Sequence, residues 1–233
     1  MVGCPSKAVQ KGSFGACLMR DKILVRNCLE ALQSDKIEAT LKCRLGLGRK
    51  LNYEFFEEFI DEISKTGIKI IYVHARNAIL SGISPQANRT IPPLNYNYVK
   101  KIKNKYPNIN FILNGGINSL EEAENLLSEF DGVMVGRLIK NNPFILKNVD
   151  KKIFKEKTFR KINETIINDY FQFIKPKIGI ESIFRLLSPL LNIFFSIPHS
   201  KEYKVKINDH MKKQNLKLIE ELLIKFVNEK KPI

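Results

Sequence analysis

The chain has 233 residues, 44% of them hydrophobic and 27% charged, enough apolar material for a packed core, which excludes global disorder. A formal net charge of +15 favours a polyanionic partner through steering and counterion release. Four cysteines without a CxxC pair and only three histidines argue against a zinc site, and no apolar run is long enough to span a bilayer.

The opening stretches Val2-Gly3-Cys4-Pro5-Ser6 and Gly12-Ser13-Phe14-Gly15-Ala16-Cys17-Leu18-Met19 are dense in Gly, Pro and Cys, which predicts a shaped loop. Asp21 to Gln33 reads as a helix, with Ile23, Leu24, Cys28, Leu29 and Leu32 on helical spacing. Ile37 to Cys43 alternates as a strand does, and Lys42-Cys43-Arg44-Leu45-Gly46 marks its end. Asn52 is placed to cap a helix from Tyr53 to Lys65, with Phe55, Phe56, Phe59, Ile60 and Ile63 on its apolar face and Gly67 ending it. Ile68 to Val73 is a nearly continuous apolar run, the pattern of a strand buried on both faces, and it ends at His74-Ala75-Arg76. The polar loop from Asn77 to Pro93 exceeds the usual connection length and is expected to be functional. A helix from Tyr96 to Lys105 follows, then a strand from Asn110 to Leu113 ending at Asn114-Gly115-Gly116. Ser119 caps the next helix, with Glu122 completing a capping box, and a strand from Asp131 to Val135 ends at Gly136-Arg137.

Strand, loop and helix repeated four times form a βα series. The pattern admits a doubly wound sheet or part of a (β/α)8 barrel, and no GxGxxG follows a strand, which argues against a dinucleotide-binding Rossmann domain. Polar residues gather at the carboxyl end of every strand, the active-site face of a barrel. Beyond residue 150 the pattern changes to mixed apolar and basic helical segments, Phe159 to Phe173, Ile180 to Ile197 and Gln214 to Phe226. The expected division is an α/β part, 1–150, and a separate all-helical part, 151–233. The helical part holds 18 Lys and Arg against 9 Asp and Glu, which makes it the better candidate for a nucleic-acid surface.

Gly115-Gly116 and Gly136-Arg137 offer unobstructed backbone amides and a guanidinium for a phosphate, whether of a flavin mononucleotide, a sugar phosphate or a nucleotide; the same glycines also suit tight βα turns. Lys42 can stabilise negative charge on a ligand, and His74 can donate to a heterocycle or a phosphate, although a histidine near a strand end is as often structural. Arg44 and Arg76 add positive charge suited to an anionic ligand. Cys4 is open to three roles: nucleophile, general acid or small buried hydrophobe. A thiol is mostly protonated at neutral pH, which suits proton donation better than attack. With no signal peptide at the start of the sequence, free thiols in a reducing compartment are expected, the cytoplasm or an organelle.

These stretches together resemble the tRNA-dihydrouridine synthase family, in the branch like bacterial dihydrouridine synthase A. The resemblance rests on the two opening stretches, Lys42-Cys43-Arg44-Leu45-Gly46, His74-Ala75-Arg76, Leu80-Ser81-Gly82, Asn88-Arg89-Thr90-Ile91-Pro92-Pro93-Leu94, Asn114-Gly115-Gly116 and Gly132-Val133-Met134-Val135-Gly136-Arg137, in family order. It implies a TIM barrel followed by a helical tRNA-binding domain, and FMN-dependent reduction of D-loop uridine with NADPH as reductant. It implies Cys4 as the general acid, Lys42 and His74 against the flavin, and Asn114, Gly115, Gly116, Gly136 and Arg137 around the cofactor and its phosphate. Ser81, Gly82, Asn88 and Arg89 would face tRNA. By the same resemblance the four strands are numbers five to eight, so that a partial barrel with weak FMN binding is expected. A non-catalytic RNA-binding relic or fragment of such an enzyme is the alternative expectation, and another FMN- or phosphate-binding barrel ranks last. The family pattern has Asn where this chain has Met1, and Glu181 to His199 lacks much of the branch's Arg and His content.

Overall fold

A computed structural model describes residues 2–34, 37–157, 164–195 and 197–230. The chain divides into two compact units, Met1–Val135 and Gly136–Ile233. Among the described residues no helix is long and apolar enough to cross a membrane.

The first unit begins with a short helix α1 (Lys7–Lys11), a 3-10 turn (Gly15–Arg20) and helix α2 (Lys22–Ser34). Then come β1 (Leu41–Arg44), α3 (Tyr53–Ser64), β2 (Ile70–His74), α4 (Tyr96–Lys105), β3 (Asn110–Asn114), α5 (Leu120–Leu126) and β4 (Gly132–Met134). The sheet is parallel, with spatial order β1-β2-β3-β4. A sheet whose order follows the chain has no point where the winding reverses, so it is wound in one sense, as in a barrel, and not doubly. Helices cover one face. Leu41, Cys43, Ile71, Val73, Phe111 and Leu113 point into that layer, and they share a core with Phe56, Phe59, Ile60, Ile63, Val99 and Ile102 of α3 and α4.

The helix starts follow local chemistry. The Asn52 and Asn95 side chains accept from the Phe55 and Tyr98 amides at 3.1 and 3.0 Å, capping α3 and α4. Ser119 Oγ accepts from the Glu122 amide at 3.0 Å, and Glu122 reaches back to the amide of Asn118 at 2.8 Å, one residue before the cap.

Three expectations for the first unit change. The continuous apolar run of β2 is buried on one face only, because burial alternates along Ile70–His74. In α2 the buried residues are Val25 and Leu29, while Ile23, Leu24 and Leu32 are 54%, 44% and 51% exposed and Cys28 is exposed. The helix leans on α3, with Lys22 paired to Glu58 at 2.8 Å and Arg26 to Glu62 at 2.5 Å, and its Val25 and Leu29 enter the core shared with α3. Strand β1 also begins later than expected, at Leu41, and Ile37 is exposed.

Cys43 sits at the centre of this core with no exposure. Burial pushes its thiol up from 9.0 to about 12. The folded state therefore holds a proton that the unfolded chain releases above pH 9, so stability is intact below that pH and falls as pH rises from 9 towards 12. The expected slope from this group is about 1.4 kcal/mol per pH unit. Denaturant melts of the wild type and Cys43→Ala between pH 8 and 11 check it: the variant is expected to show a shallower alkaline decline, and parallel declines would contradict the assignment.

The second unit is helical: α6 (Arg137–Asn141), a 3-10 turn (Pro143–Asn148), α7 (Val149–Lys152), α8 (Glu164–Ile174), α9 (Ile183–Leu187), a 3-10 turn (Leu190–Phe194), α10 (Ser200–Lys212) and α11 (Leu216–Lys230). Its core joins Phe171, Ile174, Leu187, Phe194, Ile207 and Met211 with Ile219, Leu223, Phe226 and Val227. The helical segment expected from Ile180 to Ile197 is divided at Pro189, which cannot continue α9, and the chain turns into a 3-10 segment. Residues 159–163 of the expected helix Phe159 to Phe173, and residue 196, lie outside the described residues.

Candidate active site

The strand register decides which polar side chains meet. Lys42 lies opposite Tyr72, which lies opposite Ile112; two residues on, Arg44, His74 and Asn114 are aligned, with Met134 beyond. Side chains alternate across a strand, so Lys42, Tyr72, His74 and Asn114 share the face turned away from the helices. All four are half-buried. Lys42 Nζ donates to Asn114 Oδ1 at 2.9 Å, and Asn114 Nδ2 donates to the Met134 carbonyl at 2.7 Å, so one polar line crosses the sheet at its carboxyl end. Burial lowers the Lys42 ammonium from its usual range, and the charge of Arg44 lowers it further.

Gly115 and Gly116 follow Asn114 with φ of +107° and +80°, angles that favour glycine. A Cβ on Gly115 would lie 2.5 Å from the His74 ring, and the Gly115 carbonyl accepts from Tyr96 Oη at 2.6 Å. A Cβ on Gly116 would collide with Leu94 and lie 2.9 Å from Tyr96 Oη. The pair therefore lets His74, Leu94 and Tyr96 close onto the strand end. Gly115→Ala is expected to displace His74 and to cost about 1–3 kcal/mol through its positive φ. Thermal melts, together with the His74 ring resonances in NMR spectra, check this; unchanged ring shifts would contradict it.

The cysteine loop is tied to β1. The Val2 amide donates to the Lys42 carbonyl at 2.8 Å, extending the ladder beyond the edge of β1. The Cys4 carbonyl accepts from the Ala16 amide at 2.8 Å, closing the loop on itself. Gly15, at φ +74°, makes that closure, since a Cβ there would lie 2.5 Å from the Cys4 carbonyl oxygen. The Cys4 thiol is half-buried.

Arg44 has a role that its position at a strand end did not reveal. Its side chain is buried, and Nε donates to the Gly3 carbonyl at 3.0 Å. Nη1 donates to the carbonyls of Asn77 and Asn88 at 2.9 and 3.0 Å. Burial, with Arg76 and Arg89 nearby, pushes its pKa down to about 10, so it stays charged at neutral pH. The expected contact with an anionic ligand gives way to an internal one: the guanidinium is spent on three backbone carbonyls and joins the cysteine loop to the long loop after β2. Gln10 makes a second tie, donating to the Pro5 carbonyl at 2.8 Å and to the Leu80 carbonyl at 3.0 Å. Nothing in the sequence around Gln10 signals this.

In the long loop Ser81, Gly82 and Arg89 are exposed, as an RNA-facing surface requires. Asn88 is not. It has no exposure; its carboxamide accepts from the Ile79 amide at 2.8 Å and donates to the Ile79 carbonyl at 2.9 Å. It shapes the loop from inside, which withdraws it from contact with RNA. Arg76 donates to the carbonyls of Thr90 and Pro92, fixing the loop's far end. Gly136 and Arg137 open α6 at the start of the second unit, both exposed. Gly136 has a φ of −127°, and a Cβ there would meet nothing within 4 Å, so no turn geometry demands glycine.

The family model for dihydrouridine synthase (Dus) matches residues 2–231. The chain is 37% identical over 230 residues to the tRNA-dihydrouridine(20/20a) synthase of Vibrio cholerae, covering 97% of this chain and 70% of that protein. It is 36% identical over 214 residues to the enzyme of the same name from Shewanella oneidensis, covering 91% and 64%, and 37% identical over 235 residues to that of Escherichia coli K12, covering 99% and 68%. With a family match along nearly its whole length and relatives above 30% identity, the chain belongs to the dihydrouridine synthase family of enzymes.

Proposed function

We propose that this protein reduces a D-loop uridine of tRNA to 5,6-dihydrouridine, with FMN as cofactor and NADPH as reductant. The observation that carries the reading is the half-buried sheet face where Lys42, His74 and Asn114 come together at the strand ends, beside the pinned cysteine loop. The curated relatives are tRNA-dihydrouridine(20/20a) synthases, which supports tRNA as substrate and D-loop positions 20 and 20a as target. In this reading β1 to β4 are strands five to eight of an eight-stranded barrel, in line with their sequential parallel order.

The donor set suits a flavin. An ammonium keeps three donors, of which Asn114 takes one, leaving Lys42 able to hold the polar edge of an isoalloxazine ring. His74 lies on the same face as Lys42 and Asn114. Bound there, FMN reduced by NADPH would supply a hydride for C6 of the uracil. Negative charge then grows toward C5 and O4. The Cys4 S–H bond breaks as a C5–H bond forms, and the thiolate regains its proton from solvent. The basic helical unit, with the exposed Ser81, Gly82 and Arg89, holds the tRNA while the base is drawn out of its stack.

Incubating the chain with unmodified tRNA, FMN and NADPH tests the reading. Dihydrouridine is expected in nuclease digests, and omission of either FMN or NADPH is expected to abolish it. tRNA binding without product would favour a non-catalytic RNA-binding role instead.

A further inference from the structure

We propose that Phe14 is a stacking contact for an unpaired tRNA base beside the nucleotide protonated by Cys4. This rests on the proposed action on tRNA and names a residue that the catalytic assignment leaves unused. Phe14 is 64% exposed, yet it is firmly held. Its amide donates to the Val9 carbonyl at 3.1 Å, and its carbonyl accepts from Cys17 Sγ at 2.8 Å. Ser13 at φ +58° and Gly15 at φ +74° fix the turn on either side. The ring lies over Gly12, where a Cβ would come within 2.7 Å of it, so that glycine leaves room for the ring. The next residue, Gly15, abuts Cys4.

An aromatic ring presented by a fixed backbone offers its face to a base at little entropic cost. Charge selects the partner. Residues 2–20 carry Lys7, Lys11 and Arg20 and no carboxylate, and all three cations are exposed. A polyanion with unpaired bases gains from both features, whereas an apolar protein surface gains only from the ring. Gln10 ties this same segment to Leu80, the residue before the exposed Ser81 and Gly82.

The chain contains no tryptophan, so Phe14→Trp installs a single fluorophore at the site. Unmodified tRNA is expected to quench its emission saturably, over the same range in which a mobility shift reports binding. Phe14→Ala is expected to raise the Kd for tRNA about tenfold, as loss of one stacked base does, with FMN affinity unchanged. Binding without quenching, or wild-type affinity in Phe14→Ala, overturns the contact while leaving the proposed activity standing. If the wild-type protein does not bind tRNA at all, the functional reading and this contact both fall.

Discussion

Cys4→Ala is expected to slow uridine reduction by about 100- to 10,000-fold, the range in which a positioned proton donor contributes. The fold should tolerate the change. The hydrogen bond that closes the loop uses the backbone carbonyl of Cys4, which alanine keeps, and the ties at Gly3 and Val2 do not involve the thiol. The loss should therefore appear in kcat and not in the melting temperature. NADPH consumption without tRNA should be unchanged, because in the proposed mechanism the thiol acts only on the uracil. Cys4→Ser, with a far weaker acid in nearly the same place, should fall close to the alanine variant. Single-turnover measurements with saturating tRNA read the effect directly, and full activity in Cys4→Ala would remove the general-acid assignment.

Arg44→Leu is expected to damage both stability and activity. The substitution strips the donor from the carbonyls of Gly3, Asn77 and Asn88 in a buried setting. Unsatisfied buried acceptors cost about 1–3 kcal/mol each, so a loss of about 3 kcal/mol or more is expected. It also removes one of the ties between the cysteine loop and the segments around it, leaving the Val2–Lys42 and Gln10–Leu80 hydrogen bonds to hold the loop less tightly. A displacement of about 1 Å at a reacting group can cost on the order of 100-fold in rate. Arg44→Lys should recover part of the stability but little of the rate, because an ammonium on a flexible stem cannot serve the three carbonyls with a fork's geometry. A lysine variant with wild-type kcat would mean that the guanidinium only fills space. Thermal melts alongside kcat separate the two effects.

The sequence carried the arrangement of the strand ends well. His74 and Asn114 each close a run of apolar residues, Lys42 sits between the apolar Leu41 and Cys43, and period-two alternation in parallel strands sends all three to one face once the register is fixed. The caps Asn52 and Ser119 were legible because a side-chain oxygen just before an apolar helical stripe has a specific mechanism. Tertiary choices were less visible. Ile23, Leu24 and Leu32 have helical spacing as good as that of Val25 and Leu29, and only the docking of α2 against α3 decides which stripe is buried. Helix α10 escaped notice because its 13 residues bury only Ile207 and Met211, too few to stand out against its many lysines.

Polar residues were the hardest to place. Asn88 and Arg89 are adjacent and equally suited by composition to RNA, yet one is fully buried and the other exposed. The carboxamide's match to both backbone groups of Ile79 is a three-dimensional fact with no counterpart in spacing. Arg44 likewise reads as one more cation at a strand end, and only the meeting of three chain segments around it reveals a positioning role.

The central claim is that the face bearing Lys42 holds the flavin, and an equilibrium titration of FMN into three proteins reads it most directly. The wild type, Lys42→Met and Lys206→Met, the last altering a cation of the helical unit that pairs with Glu202 at 2.6 Å, provide the comparison. Lys42→Met is predicted to weaken FMN binding about tenfold, the value of one charge-assisted hydrogen bond, while Lys206→Met binds as the wild type does. Equal affinity in all three proteins would contradict the account.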